Sequence, residues 1–148
     1  LRRTLKDLNK RYKEVIVDCG GWDSKEFRTS LLISDLLITP IRPSQADIET
    51  LPNLSEIVDQ ASEINEDLDG IVVITQAPSH PTVNLIKNAQ EALTELQGFK
   101  VSTNIIYMRK PYIDALAKGL GVIDIKNTNT KKAKQEIEEL AKEVYNNG

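Results

Sequence analysis

Cysteine occurs once in this 148-residue sequence, at Cys19, and histidine once, at His80. A lone cysteine excludes an internal disulfide framework and fits a reducing cytoplasm. It also falls short of the roughly four thiolates that hold an iron–sulfur cluster. With one histidine and no Cys-x-x-Cys pair, the ligands of a zinc site are lacking too. The histidine stands in a proline-flanked loop, Pro78-Ser79-His80-Pro81, around which no Ser-His-Asp or Cys-His arrangement assembles. Cys19 is therefore read as a structural, partly buried thiol, and His80 as a solvated loop residue. No apolar run approaches the ~18 residues of a membrane span, and no signal-like segment is present. A net charge of −3 argues against wholesale attachment to nucleic acid, while leaving room for a local basic patch.

What is present is the composition of a globular protein, 40% apolar and 28% charged, expected to form a single α/β domain over residues 1–148. Strand-like apolar runs alternate with longer helical patterns, which predicts βαβ units and a mostly parallel sheet with helices on both faces. Four strands are expected, at 15–17, 35–40, 71–75 and 101–107. Ser24 caps a helix carrying Phe27, Leu31 and Leu32. Ser44 with Asp47 three residues on resembles a capping box. The stripe it opens runs through Ile48, Leu51, Leu54, Ile57, Val58 and Ala61. Pro52 predicts a kink or restart within it, recapped by Asn53 or Ser55. A helix is expected over 82–96, with Val83, Ile86, Ala89 and Leu93 inward, stopped by Gly98. Pro111 opens another that Gly119 ends. Residues 121–124 read as a short extended piece, and Thr130 as the cap of a last helix burying Ile137, Leu140, Ala141 and Val144. At the other end, Leu1, Leu5 and Leu8 fall at helical spacing, and a helix running straight into the first strand predicts further chain upstream.

The stretch Val15-Ile16-Val17-Asp18-Cys19-Gly20-Gly21 organises the functional reading. β-Branched residues run into a carboxylate and then two glycines, as in a buried strand ending at the ligand-binding edge of a parallel sheet. From spacing alone, an Asp that ends a strand and caps a turn is the simpler reading. The functional one is Mg²⁺ held by Asp18, through water. Asp23 is a cap or part of a switch. Basic residues gather late in the chain: Arg109 and Lys110 at a strand end, Lys118 closing a helix, and Lys131, Lys132 and Lys134 opening the last one. Lysines at a helix N-terminus oppose the macrodipole. Neutralising DNA phosphates would account for them, and so would an ordinary solvated face.

In their order, these pieces resemble the ParA/MinD family of deviant-Walker ATPases, closest to the ParA proteins that partition plasmids and chromosomes. The matching stretches are 15–21, Ser34-Asp35-Leu36-Leu37-Ile38-Thr39-Pro40-Ile41-Arg42-Pro43-Ser44 with Asp47, and 105–124, where Arg109, Tyr112, Ala115, Gly119 and Val122 fall at the family's spacing. The ending Leu140-Ala141-Lys142-Glu143-Val144 is also similar. The resemblance implies a P-loop NTPase-like fold, ATP-driven homodimerisation with Mg²⁺, and non-specific DNA binding over the nucleoid in a cytoplasmic setting. It also implies hydrolysis stimulated by a ParB-like partner. By position, Asp18 would be the Walker B carboxylate, and catalytic through its metal. Gly20 and Gly21 would open switch II. The adenine would lie against Thr75, Gln76, Met108 and Arg109. Arg109, Lys110, Lys118, Lys131 and Lys132 would face DNA. The family often has Asn or Arg where Gln76 stands.

One family motif is absent. The K-G-G-x-G-K-[ST] phosphate loop is nowhere in the 148 residues, and the sole glycine pair, Gly20-Gly21, has no Lys-Thr after it. In the family fold the phosphate-loop strand lies between the Walker B strand and the strand at 36–40, so its absence predicts a slot with unpaired backbone on both sides. The expectation is a partial P-loop fold, the C-terminal part of a longer ATPase, inactive alone. The alternatives are a MinD-like membrane-positioning ATPase, which needs a C-terminal amphipathic helix free for the bilayer, and a non-catalytic half-ParA interaction domain.

Overall fold

The computed structural model describes residues 1–20, 23–80 and 84–146. Gly21 and the expected helix start at Thr82 and Val83 lie outside them. Three strands, β1 (Leu36–Ile41), β2 (Asp69–Ala77) and β3 (Lys100–Tyr107), form one sheet in the order β1-β2-β3, with both pairs parallel. Helices α1 (Arg2–Asn9), α2 (Lys25–Leu31), α3 (Gln45–Ile48), α4 (Leu51–Ser62), α5 (Leu85–Leu93), α6 (Lys110–Leu116) and α7 (Lys131–Asn146) surround it. The expected α/β architecture with a parallel sheet is what forms.

Strand β2 is central, and its sequence shows why. Ile71, Val72, Val73 and Ile74 are all buried, so both faces of the strand are covered, as a continuous β-branched run requires. Val72 and Ile74 join Phe27 and Leu31 of α2, Leu54 and Val58 of α4, and Ala89 and Leu93 of α5 in the main core. On β3, Val101 and Ile105 pack against that same core. Ser102 and Asn104 instead donate to Glu143 of α7, at 2.6 and 2.5 Å, so α7 covers the opposite face. A smaller core of Ala115, Val122 and Ala133, flanked by Tyr112 and Ile137, joins α6 to α7.

The strand expected at 15–17 does not form. Residues 14–20 belong to no strand or helix, and no backbone–backbone hydrogen bond among the described residues involves 15–20. Val15 and Val17 are half-buried, and Ile16 is 91% exposed. β-Propensity is expressed through a paired, packed neighbour, and none is present among the described residues. The segment is tethered at two points instead. Tyr145 donates to Glu14 at 2.9 Å, and Cys19 Sγ lies 3.5 Å from Ser30 Oγ, where it packs on the core as a structural thiol. Nothing described pairs with the outer side of β1, and Ile38 is 43% exposed there. Pro40 therefore sits inside an edge strand, the place where a missing N–H is tolerated.

The other boundaries follow local chemistry. Ser24 accepts from Phe27 N at 3.0 Å and caps α2. The stripe after Ser44 breaks into α3 and α4, with Pro52 in the first turn of α4. The restart falls at Thr50 rather than Asn53 or Ser55; Ser55 turns inward and donates to the Gln97 carbonyl at 2.7 Å. Gly119, at φ +66°, ends the turn after α6 with Leu120 N bonded to the Ala115 carbonyl, a left-handed cap that glycine adopts without cost. Residues 121–124 are not extended: Val122–Asp124 is a 3₁₀ turn in which Asp124 accepts from Gly121 N at 3.1 Å. Thr130 ends a second 3₁₀ turn, Thr128–Thr130, and its hydroxyl donates to the Asn127 carbonyl instead of capping α7.

At α3 the capping box reaches further back than expected. Ser44 Oγ accepts from Asp47 N at 3.3 Å, while Asp47 accepts from Arg42 N at 2.9 Å and from the Arg42 guanidinium at 2.9 and 3.1 Å. These bonds, the guanidinium first, hold the Asp47 carboxyl down at about 2. A depressed carboxylate contributes stability above its unfolded pKa of about 4 and loses it as pH falls through the folded value. Urea unfolding is therefore expected to find Asp47→Asn less stable than wild type at pH 7, with the gap closing between about pH 4 and pH 2. Ser44→Ala is expected to cost about 1 kcal/mol. Leu93→Ala, in the main core, is expected to cost about 2–5 kcal/mol. Ile16→Ala should stay within about 0.5 kcal/mol, and a core-sized loss there would show that 15–17 is a buried strand.

Candidate functional site

Parallel strands deliver their C-terminal ends to one edge of the sheet, and loops there are free to hold ligands. A cavity of about 470 Å³ opens at this edge. Arg42, Pro43 and Ser44 after β1, Gln76 and Ser79 at and after β2, and Met108 after β3 form its wall, with His80 and Leu85 also lining it. Mixed apolar and amide surface of this kind suits a flat heterocycle.

Gln76 reaches the cavity through a backbone irregularity. The β2–β3 register slips between Ile74 and Ala77, and Gln76 takes up the extra residue at φ +51°, the one non-glycine left-handed conformation among the described residues. Such a conformation in a residue with a side chain is a strained one, held by its surroundings. Thr75, just before it, is turned away: its hydroxyl donates to the Ile41 carbonyl at 3.2 Å, tying β2 to the end of β1. Met108 is 60% exposed at the cavity, with its N–H on the Ala77 carbonyl at 2.8 Å and its carbonyl accepting from Ser79 at 3.2 Å.

Arg109 does not line the cavity, nor does it point to solvent. Its Nε and Nη2 hold Glu136 Oε1 at 2.7 and 2.6 Å, and its guanidinium carbon lies 5.1 Å from the Tyr107 ring centre. Glu136 Oε2 accepts from Tyr112 at 3.0 Å and from Tyr107 N at 3.3 Å. Burial, and then the adjacent Glu136 carboxylate, push the Tyr112 hydroxyl well above the ordinary tyrosine range. Lower on α7, Glu143 makes a second clamp. Burial pushes its carboxyl up, but bonds from Ser102, Asn104 and the Thr103 N–H together hold it below the usual glutamate value.

The lysines lie beyond this clamp. Lys110 and Lys118 line a groove of about 300 Å³ with Asp114, Asn127, Asn129 and Thr130. Lys110 pairs with Asp114 at 3.0 Å and remains 83% exposed. Lys131 and Lys132 are exposed in the first turn of α7, directly after Thr130 of the groove wall. Lys134 folds back to the Ile123 carbonyl at 2.6 Å.

Asp18 and Gly20 stand apart. Both are exposed, and Asp18 makes no hydrogen bond to a described residue. No group of three or more His, Cys, Asp or Glu side chains poised for a metal occurs among the described residues. Asp23 pairs with Arg28 at 2.5 Å on the surface. Among the described residues, the cavity at Gln76 and Met108 offers walls for a flat ring, whereas Asp18 has no companion ligand for a metal. Gln76 and Met108, expected from the sequence near an adenine, both line this cavity, and so do Arg42 and Ser44, which the sequence did not single out for it. Glu136 was not singled out either, although the spacing of Ala133, Glu136, Leu140 and Glu143 sets both glutamates on the inward stripe of α7.

No family model matches the chain. Two curated proteins do, each over 96% of it: a ParA family protein of Mycoplasma genitalium at 25% identity and a ParA family protein of Mycoplasma pneumoniae at 24%. The chain spans about half the length of these relatives, 53% of each. No helix among the described residues is long and apolar enough to cross a membrane. The chain has a parallel α/β sheet with a cavity at the strand ends, and along nearly its whole length it is similar to these two ParA family proteins.

Proposed function

We propose that these residues form the base- and DNA-contacting half of a ParA-type ATPase that segregates a plasmid or chromosome. In this reading the whole enzyme binds ATP and Mg²⁺, closes as a homodimer, holds DNA non-specifically, and is stimulated to hydrolyse by a ParB-like partner at the nucleoid. One observation carries the reading: the cavity at Gln76 and Met108 and the lysine groove at Lys110 and Lys118 flank the same turn, 108–110, beyond the sheet's C-terminal edge. The open side of β1 and the unpaired run at 15–17 support a missing central strand, which in this family carries the phosphate loop. Asp18 and the glycines after it then meet the metal and phosphates only once that strand is in place.

Two observations bear on the alternatives. Ile137, Leu140, Ala141 and Val144 of α7 are all half-buried, and α7 is bonded to β3, so α7 itself is not an amphipathic helix free for a bilayer, which weighs against a membrane-positioning role for it. That Asp18 has no companion ligand among the described residues favours, as a second reading, a non-catalytic half-ParA that pairs with another subunit.

The 148-residue chain with ATP and Mg²⁺ is expected to show no turnover above a no-protein blank; clear turnover would overturn the half-site reading. Fused behind a segment bearing a Gly-Lys-Thr loop and its strand, it is expected to bind ATP and, with ATP, to bind duplex DNA in a salt-sensitive way. Failure of that fusion to bind ATP would favour the interaction-domain reading. In the fusion, Lys131→Ala with Lys132→Ala should weaken DNA binding and flatten its log–log salt slope by about one for each phosphate no longer neutralised. Unchanged DNA affinity would remove those lysines from the DNA face.

A further inference from the structure

Glu136 gathers donors in a way that core packing does not require. Its side chain is 12% exposed, and it accepts from the Tyr107 N–H, the Arg109 guanidinium and the Tyr112 hydroxyl. All lie within one six-residue stretch, the turn from β3 into α6. Ion pairs with little exposure seldom add much stability over apolar packing, so their position is better explained by what they hold in place. Here the held object is Met108. One side of Met108 is fixed to the β2 loop through Ala77 and Ser79, and the other through neighbours that Glu136 grips. Lys110 follows Arg109 directly, and Lys131 and Lys132 sit one turn before Glu136 on α7.

We infer that Glu136, acting through Arg109, is a positioning residue that sets the Met108 wall of the strand-end cavity and couples it to the lysine-bearing ends of α6 and α7. Arg109 is then a strut between the two surfaces rather than a DNA contact. The coupling rests on the nucleotide and DNA reading above, whereas the positioning of Met108 does not.

Met108 is the only methionine in the chain, so methyl-labelled methionine gives one NMR signal. In Glu136→Gln, with no ligand added, that signal is expected to move. The amide protons at 108–110 are expected to exchange about tenfold faster, as in a locally loosened turn. Glu143→Gln, on the same helix and against the same strand, should leave both unchanged. Arg109→Lys, which keeps the charge but not the two-pronged grip, should fall between. In the fusion described above, on adding ATP and a short DNA duplex at low salt, the Met108 signal of the unsubstituted protein should shift, and that response should vanish in Glu136→Gln while duplex affinity, read by anisotropy, changes less than about threefold. A Met108 signal and exchange rates in Glu136→Gln that match wild type would overturn the positioning role. So would a Glu143→Gln variant equally perturbed at 108–110, which would mark a general loosening of α7. A duplex response retained in Glu136→Gln would overturn the coupling. An unsubstituted fusion that binds ATP but no duplex would instead count against the DNA reading, with the ligand-free comparison still deciding the positioning role.

Discussion

The fold depends on β2 being paired on both edges and covered on both faces. Four consecutive β-branched residues, Ile71 to Ile74, are stable as a strand only where every side chain finds apolar contact and every backbone group a partner. β1 and β3 meet the second requirement; α2, α4 and α5 on one face and the α7 side on the other meet the first. Once β2 is fixed, its C-terminal end fixes where the neighbouring loops emerge, and the cavity follows from that.

The same requirement explains the expected strand that does not form. Val15, Ile16 and Val17 have the composition of a buried strand, yet without a ladder they remain outside the sheet, with Ile16 in water. Among the described residues nothing pairs with the outer side of β1, and Ile38 of that strand is exposed. An edge of this kind is a template for one more parallel strand.

Much of the architecture was legible because it is governed by local rules: the apolar run of β2, the Ser24 cap, the left-handed stop at Gly119 and the Pro52 restart. What escaped was governed by partners distant in the chain. Propensity marked 15–17 as strand but could not report whether a neighbour exists. Thr130 has the residue type of a cap, yet its hydroxyl finds the Asn127 carbonyl first. Gln76 and Met108 lie at the ends of β2 and β3, where the apolar runs stop, but Arg109 reads as a surface cation because its partner, Glu136, lies 27 residues away. Charge patterning cannot tell a solvated arginine from one held by a distant carboxylate. The bulge that turns Gln76 to φ +51° has no sequence signature of its own either.

The central claim is that the cavity between Gln76 and Met108 receives the base of a nucleotide. Photolabelling with 8-azidoadenosine, followed by peptide mapping, tests it without requiring turnover or the phosphate-binding half. Labelling confined to the peptides carrying residues 76–80 and 105–109, and suppressed by excess adenosine, is the result expected. Labelling spread over other surfaces, or insensitive to adenosine, would contradict it.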